Sequence, residues 1–521
     1  MKKHLLLLHL LVCFFLFSQT YAQSSFQNIV VGNIGNPNEP SIAISPTDTN
    51  NILVGTNTDK IFSSLDGGRT WLQRQATSAF GVFGDPCIIA DSSGSFYYFH
   101  LARNSQISNW PMYADRIVCQ RTNNGGGSWQ VDSYTGNNVG RMQDKEWAAL
   151  DMKNDILYVT WTQFDEYGSA DAQDSSTIYF SKSDDGGNTW SNATLLTAIS
   201  GDCLDSDNTI EGAMPAVGVN GEVYVTWAFD EKIYFNKSLN GGSTWSANEQ
   251  VIANQPEGWD YEVDGLSRCN GLPVIMCDLS TGPYRGTVYI NWTDKRNGLN
   301  DADVYIAKSI DGGDTWSAPI RVNDDAPGKD NFFSWMTIDQ SNGDIYVVFN
   351  DRRNYNSDST DVYMARSTDG GATFINYRVN QYAFNPSQGV FHGDYNNVSA
   401  VNGCVRPIWT RQDNGGTSVV TALVNFPQTI SAVKNVSSDF KWRLVSSNPT
   451  KGNCIVAVED VTGNASVEIL DATGRLLCSR NAVQSGDFVK LNLAAFAPAS
   501  GVYFIRCADE AGIHTFKVLL Q

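Results

Sequence analysis

Residues 178–191 read IYFSKSDDGGNTWS, a β pattern that runs into Asp-Gly-Gly and ends on a tryptophan that opens the next strand. The glycines allow positive φ without steric cost, and the Ser and Asp side chains can accept hydrogen bonds from turn amides. The tryptophan supplies a large apolar surface to bury between neighbouring sheets. The stretch therefore predicts a hairpin that is closed by its own side chains and anchored by the indole.

The same Ser/Thr-x-Asp-x-Gly-x-x-Trp box occurs six times along the chain, with Asn for Asp in two copies and Phe for Trp in the last. The copies start 58, 61, 55, 71 and 58 residues apart, at Ser64, Thr122, Ser183, Ser238, Ser309 and Ser367. A unit repeated at this period indicates a propeller or a solenoid, and the β pattern before each copy favours the propeller. Because a single catalytic acid has no use in six copies, Asp66 and Asp185 are predicted to be structural.

These boxes resemble the Asp boxes, or BNR repeats, of the sialidase (neuraminidase) superfamily over about residues 24–427. The resemblance implies an all-β Asp-box propeller and a secreted, exo-acting glycoside hydrolase of extracellular glycans, although unrelated activities share this fold. The chain lacks the early Phe/Tyr-Arg-Ile-Pro motif of sialidases, since the corresponding stretch Asn38–Ile42 has no arginine. The alternative function is a non-catalytic surface propeller that binds glycan or protein.

The strand pattern predicts seven blades. Each unit reads as four strands, A to D, and the clearest are the B strands at 52–56, 96–101, 157–162, 223–228, 288–293, 345–350 and 405–410. Seven B strands against six boxes suggest that Phe26–Val31 completes the last blade and so removes an exposed sheet edge. Six blades are the alternative, because sialidases have six.

The two ends of the chain differ in sequence pattern from the repeats. Residues 1–22 are typical of a signal peptide, residues 23–430 form the predicted propeller, 431–445 a linker and 446–521 a small C-terminal β-sandwich. The motifs at 448–452, 471–474 and 501–503 resemble the type A sorting domain of the type IX secretion system, with an Ig-like carbohydrate or spacer module as the alternative. The resemblance implies export across the outer membrane to the cell surface or medium, with the type IX machinery as partner.

Composition narrows the functions further. The net charge of −19 argues against nucleic-acid binding, and no stretch after the signal peptide could span a membrane. Nine cysteines follow the signal peptide, and we predict a disulfide between Cys203 and Cys269. Without Cys-x-x-Cys and with few histidines, neither zinc nor another cofactor is expected. The Asp-rich loops 165–176 and 297–303 leave structural Ca²⁺ as an alternative to solvated loops.

The candidate site lies where the A strands start and the B–C loops return, because these meet on one face of a propeller. The residues selected there as catalytic are Asp85, Glu211, Asp394 and Tyr395; those selected for substrate binding are Arg296, Arg352, Arg353, Arg411 and His392. Glycoside hydrolysis needs two carboxyls, or a tyrosine nucleophile in sialidases. Tyr395 is assigned as the nucleophile, Glu211 as its base and Asp85 as the acid.

The arginines admit two interpretations. Their guanidinium groups could form a cluster from consecutive blades that binds the carboxylate of an acidic sugar bidentately. The repeated patterns Trp-Thr-Asp-Lys-Arg-Asn and Phe-Asn-Asp-Arg-Arg-Asn instead suggest ion pairs from Arg296 to Asp294 and from Arg353 to Asp351 that stiffen each loop. The second interpretation makes a neutral sugar the expected substrate.

Overall fold

The structure is a computed structural model. It describes residues 26–102, 114–138, 140–413, 415–426, 442–445, 450–458, 465–472, 474–484, 486–496, 500–509 and 512–520. The predicted signal peptide, most of the predicted linker and the Asn448-Pro449 start of the sorting motif lie outside these residues. The chain divides into two compact units, residues 1–427 and 428–521.

The first unit begins with strand β1 (Asn28–Gly32), and sheets of four strands follow. Sheet 1 consists of β2 (Asn38–Ile44), β3 (Ile52–Asn57), β4 (Lys60–Ser64) and β5 (Leu72–Gln75). Sheet 2 consists of β6 (Gly84–Ala90), β7 (Phe96–Ala102), β8 (Arg116–Thr122) and β9 (Val131–Thr135). Sheet 3 consists of β10 (Met142–Asp151), β11 (Ile156–Phe164), β12 (Ser176–Ser183) and β13 (Thr194–Leu195).

Sheet 4 consists of β14 (Glu211–Val217), β15 (Val223–Phe229), β16 (Lys232–Ser238) and β17 (Gln250–Asn254). A small hairpin of β18 (Asp260–Tyr261) and β19 (Cys269–Asn270) follows it. Sheet 5 consists of β20 (Val274–Cys277), β21 (Val288–Asp294), β22 (Asp303–Ser309) and β23 (Ile320–Arg321). Sheet 6 consists of β24 (Asn331–Asp339), β25 (Asp344–Asp351), β26 (Asp361–Ser367) and β27 (Ile375–Arg378).

Sheet 7 is closed by the start of the chain. It contains β28 (Asn397–Val401), β29 (Cys404–Asp413), β30 (Gly416–Ala422) and the short β31 (Val424–Asn425), and β1 forms its outer strand. β1 runs antiparallel to β30, with Asn28 opposite Ala422 and Val30 opposite Val420. The predicted pairing of the N-terminal strand with the last repeat is therefore confirmed.

The sheets form a closed ring. Their first strands contact one another in chain order, from β2 through β6, β10, β14, β20 and β24 to β28, and β28 in turn contacts β2. The described chain thus has seven such sheets, the number that the B strands predict. The second strand of each sheet is covered on both faces, so its apolar sequence is nearly continuous. The tryptophans of four of these strands are among the largest fully buried side chains: Trp161, Trp227, Trp292 and Trp409.

The boxes form closed turns, as the sequence predicts. In the third copy, Ser183 Oγ accepts from the Gly187 amide at 2.9 Å and donates to Asp185 Oδ1 at 2.8 Å, while Asp185 Oδ1 also accepts from the Thr189 amide at 2.9 Å. The same pattern recurs at Ser309 and Ser367. These bonds to the ionised carboxylate lower the pKa of Asp185.

The aromatic residue of each box is half-buried, whereas the sequence pattern predicts a buried one. Each indole lies across the edge between two sheets, where one face packs and the other meets solvent. Trp190 makes an edge contact with Phe99 of the preceding sheet at 5.8 Å, and its Nε1 donates to Ser133 Oγ at 3.0 Å. Trp245 and Trp316 pack in the same way against Phe180 and Phe235. The boxes therefore join neighbouring sheets.

The predicted disulfide between Cys203 and Cys269 is wrong. Both are free thiols, as are the other described cysteines. Cys203 packs with Met142 and Phe164, whereas Cys269 belongs to a different cluster around the β18–β19 hairpin that includes Tyr261 and Phe333. Each thiol serves as a small apolar side chain in its own cluster.

The second unit contains two sheets around one core. The first consists of β32 (Trp442–Leu444), β33 (Asn453–Val458) and β36 (Phe488–Asn492), and the second of β34 (Ala465–Leu470), β35 (Leu476–Val483), β37 (Gly501–Asp509) and β38 (Gly512–Leu520). One helical turn, α1 (Leu493–Phe496), follows β36. Side chains such as Val456, Val467 and Ile505 bury their apolar surface between the sheets, as in a β-sandwich.

Candidate functional site

The inner strands begin with an irregularity that turns side chains towards the axis. In sheets 1, 2, 3, 4 and 6 the register shifts at the start of the strand. The residue within each shift has positive φ: Glu39, Asp85, Lys145, Gly212 and Phe333. Four of these five carry a side chain in a conformation that only glycine adopts easily, which is typical of functional sites. The charged starts of the A strands therefore meet on one face.

Asp394 lies at the centre of this face, between two cations. Its carboxylate accepts from Lys145 Nζ at 2.8 Å and from Arg268 Nε at 2.6 Å, and Arg268 Nη2 also contacts it. Asn270 donates to the Asp394 carbonyl at 2.8 Å. Burial alone would raise the pKa of Asp394, but the two cations outweigh burial and lower that pKa to about 2. Asp394 is therefore ionised at neutral pH.

Glu39 supports Asp394 through its backbone. The Asp394 amide donates to Glu39 Oε1 at 3.0 Å. Gly393, with φ of 100°, makes this approach possible, since a Cβ there would lie 2.7 Å from Glu39 Cγ. Burial and the charges of Asp394 and Asp85 raise the pKa of Glu39 well above its usual value. The His-Gly-Asp-Tyr stretch, 392–395, thus meets the start of the first repeat and joins the two ends of the ring.

Three further carboxyls lie around Lys145, and their raised pKa values favour the protonated forms. Burial raises the pKa of Asp144, Glu146 and Glu211, and Asp85 adds to the effect on Asp144 and Glu146. Glu146 and Glu211 are 1% and 0% exposed, and neither carboxyl has a hydrogen-bond partner in the part of the chain that the structure describes. The cluster therefore contains both a carboxyl with a lowered pKa, Asp394, and a carboxyl with a raised pKa, Glu211.

An aromatic wall borders the cluster. Trp147 and Trp335 pack with ring centroids 4.4 Å apart, and Tyr395 meets Trp147 edge-on at 5.0 Å. These rings line a cavity of about 20 Å³ together with Lys145 and Asp394. The Tyr395 hydroxyl finds no hydrogen-bond partner among the described residues, and burial raises its pKa well above the usual value. Tyr395 is therefore a neutral phenol.

A second cavity, of about 20 Å³, adjoins the first at Lys145, Asn270 and Asp394. Its far side is formed by Trp259, Asp260 and Arg268 of the β18–β19 insertion. Burial and the nearby Asp207 raise the pKa of Asp260 to about 6. The insertion thus completes the site by supplying the second cation of Asp394.

Of the four residues that the sequence selects as catalytic, Asp394 and Tyr395 line the first cavity, whereas Asp85 and Glu211 line neither of the two cavities. The charge of Asp85 raises the pKa of Tyr395, and that of Glu211 raises the pKa of Lys145. Tyr395 and Glu211, its proposed base, form no hydrogen bond with each other, because neither side chain has a partner within the described ranges. Two central residues, Lys145 and Arg268, were not predicted. A charged residue at the start of an A strand is a signal that could have found Lys145.

The predicted substrate-binding arginines do not converge on the axis. Each is held in its own loop by an acceptor nearby: Arg296 Nε by Asp294 at 2.9 Å, Arg353 Nε by Asp351 at 2.7 Å and Arg411 Nη2 by Asp413 at 3.2 Å. Arg352 Nη2 donates to the Asp264 carbonyl at 2.7 Å. Arg296 and Arg353 also cover Tyr305 and Tyr363, which makes the two loops alike. The expected guanidinium cluster is replaced by loop-stiffening ion pairs.

His392 is enclosed rather than presented to a ligand. Its ring stacks between Phe333 at 5.8 Å and Phe384 at 5.6 Å, and it is 3% exposed. Burial lowers the pKa of His392 to about 3, so the ring is neutral. His392 therefore packs between two aromatic rings beside the site.

The described residues bear on two further features, a metal site and a membrane-spanning helix. Within them, His, Cys, Asp and Glu side chains form no group of three or more that could hold a metal ion. No helix in the same residues is long and apolar enough to cross a membrane.

Comparison with known proteins identifies the C-terminal unit. Residues 447–521 match the family of secretion system C-terminal sorting domains. This match indicates export by the type IX secretion system to the cell surface or the extracellular space. No curated protein matches the chain in sequence.

Several solved structures are similar to this chain at low sequence identity. A protein of unknown function from Dyadobacter fermentans is 13% identical, with a TM-score of 0.43 over 78% of this chain and 98% of that one. An ulvan lyase of polysaccharide lyase family PL25 is 14% identical, with a TM-score of 0.48 over 78% and 96%. A Hadza microbial sialidase is 12% identical, with a TM-score of 0.42 over 72% and 73%.

Proposed function

We propose that the first unit is an exo-acting glycoside hydrolase of an extracellular glycan, with its active site at the axial cavities. The observation that carries the proposal is the division of carboxyls at one cluster. Burial raises the pKa of Glu211 well above its usual value, while Lys145 and Arg268 lower the pKa of Asp394 to about 2. Glycosidic bond cleavage uses one carboxylic acid and one carboxylate, and opposed environments are what assign the two roles.

In this proposal Glu211 is the general acid that protonates the leaving oxygen. Asp394 is the carboxylate that stabilises positive charge as the bond to the anomeric carbon breaks, and a solvent water then bonds to that carbon and gives its proton to the Glu211 carboxylate. Tyr395, with a raised pKa, contacts the sugar as a neutral hydroxyl instead of attacking it.

The ion pairs of the arginines bear on whether the substrate carries a carboxylate. Because Arg296, Arg353 and Arg411 are paired with aspartates of their own loops, they do not supply a carboxylate clamp at the axis. The proposed substrate is therefore a sugar without a carboxylate, which separates this site from that of a sialidase.

The test is a product assay of the mature chain against neutral, amino and acidic oligosaccharides. Glu211→Gln should lower kcat about 100-fold or more with binding retained, because it removes the proton donor. Asp184→Asn, at an exposed box residue, is the control and should leave kcat unchanged. Equal activity of wild type and Glu211→Gln would contradict the role of Glu211.

The second candidate is a non-catalytic glycan-binding propeller. One observation favours it: both carboxylate oxygens of Asp394 are already engaged by Lys145 and Arg268, which limits their contact with a substrate. Binding of glycans without product from any of them would select this function.

A further inference from the structure

The two axial cavities leave no room for a sugar next to Asp394. Each has a volume of about 20 Å³, which is roughly the space of one water molecule. Both oxygens of Asp394 are also engaged, Oδ1 by Arg268 Nε at 2.6 Å and Oδ2 by Lys145 Nζ at 2.8 Å. A glycan therefore reaches this carboxylate only if one of the two cations moves away.

The two cations differ in how firmly the fold holds them. Lys145 belongs to the inner strand β10, and its side chain is 7% exposed. Arg268 belongs to the insertion, in the segment between β18 and β19, and its side chain is 40% exposed. Arg268 is therefore the cation that can move. Because Lys145 stays on Asp394, this movement leaves no buried charge without a partner.

A second acceptor for Arg268 lies beside the first. Arg268 Nη1 is 3.4 Å from Asp205 Oδ2, which is long for a hydrogen bond, and Asp205 lines the second cavity. Tyr167 donates to the same Asp205 oxygen at 2.5 Å and so fixes this carboxylate. The guanidinium carbon of Arg268 lies 5.0 Å from the ring centroid of Phe391. The guanidinium can therefore turn from Asp394 onto Asp205 while it keeps its contact with the aromatic ring.

We propose that Arg268 is an autoinhibitory latch of the axial site. In the closed arrangement described above Arg268 covers Asp394, and a glycan that enters the site displaces the guanidinium onto Asp205. This rests on the axial site of the proposed function, and it names the contact that regulates access to that site. Because a glycan binds only the open arrangement, its apparent affinity equals the intrinsic affinity multiplied by the open fraction.

The test measures binding by calorimetry to the mature full-length chain, with neutral tetrasaccharides of glucose, galactose, mannose and xylose as probes. Arg268→Gln should bind at least one of them about tenfold or more tightly than the wild type, because about a tenth or less of the wild type is open. Asp205→Asn should bind the same sugar about threefold or more weakly, because it removes the acceptor that stabilises the open arrangement. Loss of structure would weaken binding in both variants, so opposite directions distinguish the latch from misfolding.

Two controls assign the effects to the latch. Arg141→Gln should leave the affinity unchanged, because Arg141 has the same side-chain exposure of 40% but pairs with Asp165. The double variant Arg268→Gln/Asp205→Asn should bind like Arg268→Gln, because Asp205 then has no guanidinium to receive. A weakening by Asp205→Asn that persists in the double variant would mean that Asp205 contacts the sugar, and it would overturn the latch.

A second measurement needs no substitution. A crystal structure of the wild type with the tightest-binding tetrasaccharide should show Arg268 Nη1 within about 3 Å of Asp205 Oδ2 and Arg268 Nε away from Asp394. A sugar bound on the axial face with Arg268 still on Asp394 would overturn the latch.

A product assay with the same tetrasaccharides separates the latch from the proposed hydrolase. Opposite changes of affinity in the two variants without any product would support the latch and remove the hydrolase. Product from the wild type, with equal affinities of the wild type and Arg268→Gln, would do the reverse. Binding by Arg268→Gln alone would support the latch, whereas binding by neither protein would overturn it.

Discussion

At the residue scale, the site depends on a strained backbone. Glu39, Asp85 and Lys145 all have φ near +50°, a conformation that costs an ordinary residue roughly 1–2 kcal/mol. Three such residues in successive sheets indicate that the surrounding ring fixes them, because isolated strands would relax. The ring therefore holds these three side chains on backbone conformations that isolated strands would not adopt.

The first prediction concerns the ion pairs of Asp394. Asp394→Asn should lower the free energy of unfolding by about 3 kcal/mol, because it leaves the ammonium of Lys145 buried without a counter-charge. The side chains of Lys145 and Asp394 are 7% and 2% exposed. The measurement is the urea midpoint at unchanged m value.

The control for this prediction is Asp413→Asn. Asp413 pairs with Arg411 at the surface, where an ion pair contributes about 0–1 kcal/mol. A loss at Asp394 no larger than that at Asp413 would show that Lys145 finds another partner or solvent.

At the element scale, the boxes link each sheet to the one before it. Trp190 should therefore matter more than its half-buried state suggests, since it contacts Phe99 and Ser133 of sheet 2 from sheet 3. Trp190→Ala should cost about 3 kcal/mol, at the low end for large aromatic truncations. Thermal and urea unfolding report the change.

Leu239→Ala serves as the matched control for Trp190→Ala. Leu239 is a large apolar side chain in the box of sheet 4, but it is 73% exposed, and its truncation should change stability by less than about 0.5 kcal/mol. Equal effects of the two substitutions would contradict the linking role of the indole.

The elements show what the sequence could predict. Box chemistry and the alternation of the strands are local, so the repeats, the B strands and the N-terminal closing strand followed from pattern alone. The half-burial of Trp190 was missed because it depends on how two sheets meet. Arg268 was missed because the insertion around β18 and β19 has no counterpart in the other repeats. The disulfide prediction failed because Cys203 and Cys269 lie in segments between the four-stranded sheets, whose path the repeat does not fix.

At the scale of the whole molecule, two sets of carboxyls give stability opposite dependences on pH. The buried set has raised pKa values: Glu39, Asp144, Glu146 and Glu211. The folded state binds more protons than the unfolded state above pH about 4.5, so stability should fall as the pH rises. Hydrogen bonds outweigh burial and lower the pKa of Asp66 and Asp369 to about 2, so stability should also fall below pH about 4.

The expected result is a maximum of the urea midpoint near pH 5 and a decline towards pH 8. Glu146→Gln should make the decline shallower, because it removes one group that the folded state prefers to keep protonated. Glu166→Gln, at an exposed position, should follow the wild type. Identical slopes for wild type and Glu146→Gln would mean that the buried carboxyls ionise without cost.

The last prediction treats the two units as separate. The division lies at residues 427 and 428, each unit has its own core, and residues 447–521 match the sorting family. Removal of residues 428–521 should leave a cooperatively folding propeller, because its ring is closed by β1 and β30 within the first unit. The truncated protein should remain inside the outer membrane, whereas a periplasmic reporter joined to residues 428–521 should be exported. Appearance of the truncated propeller in the medium at the level of the full chain would show that its export does not depend on the C-terminal unit.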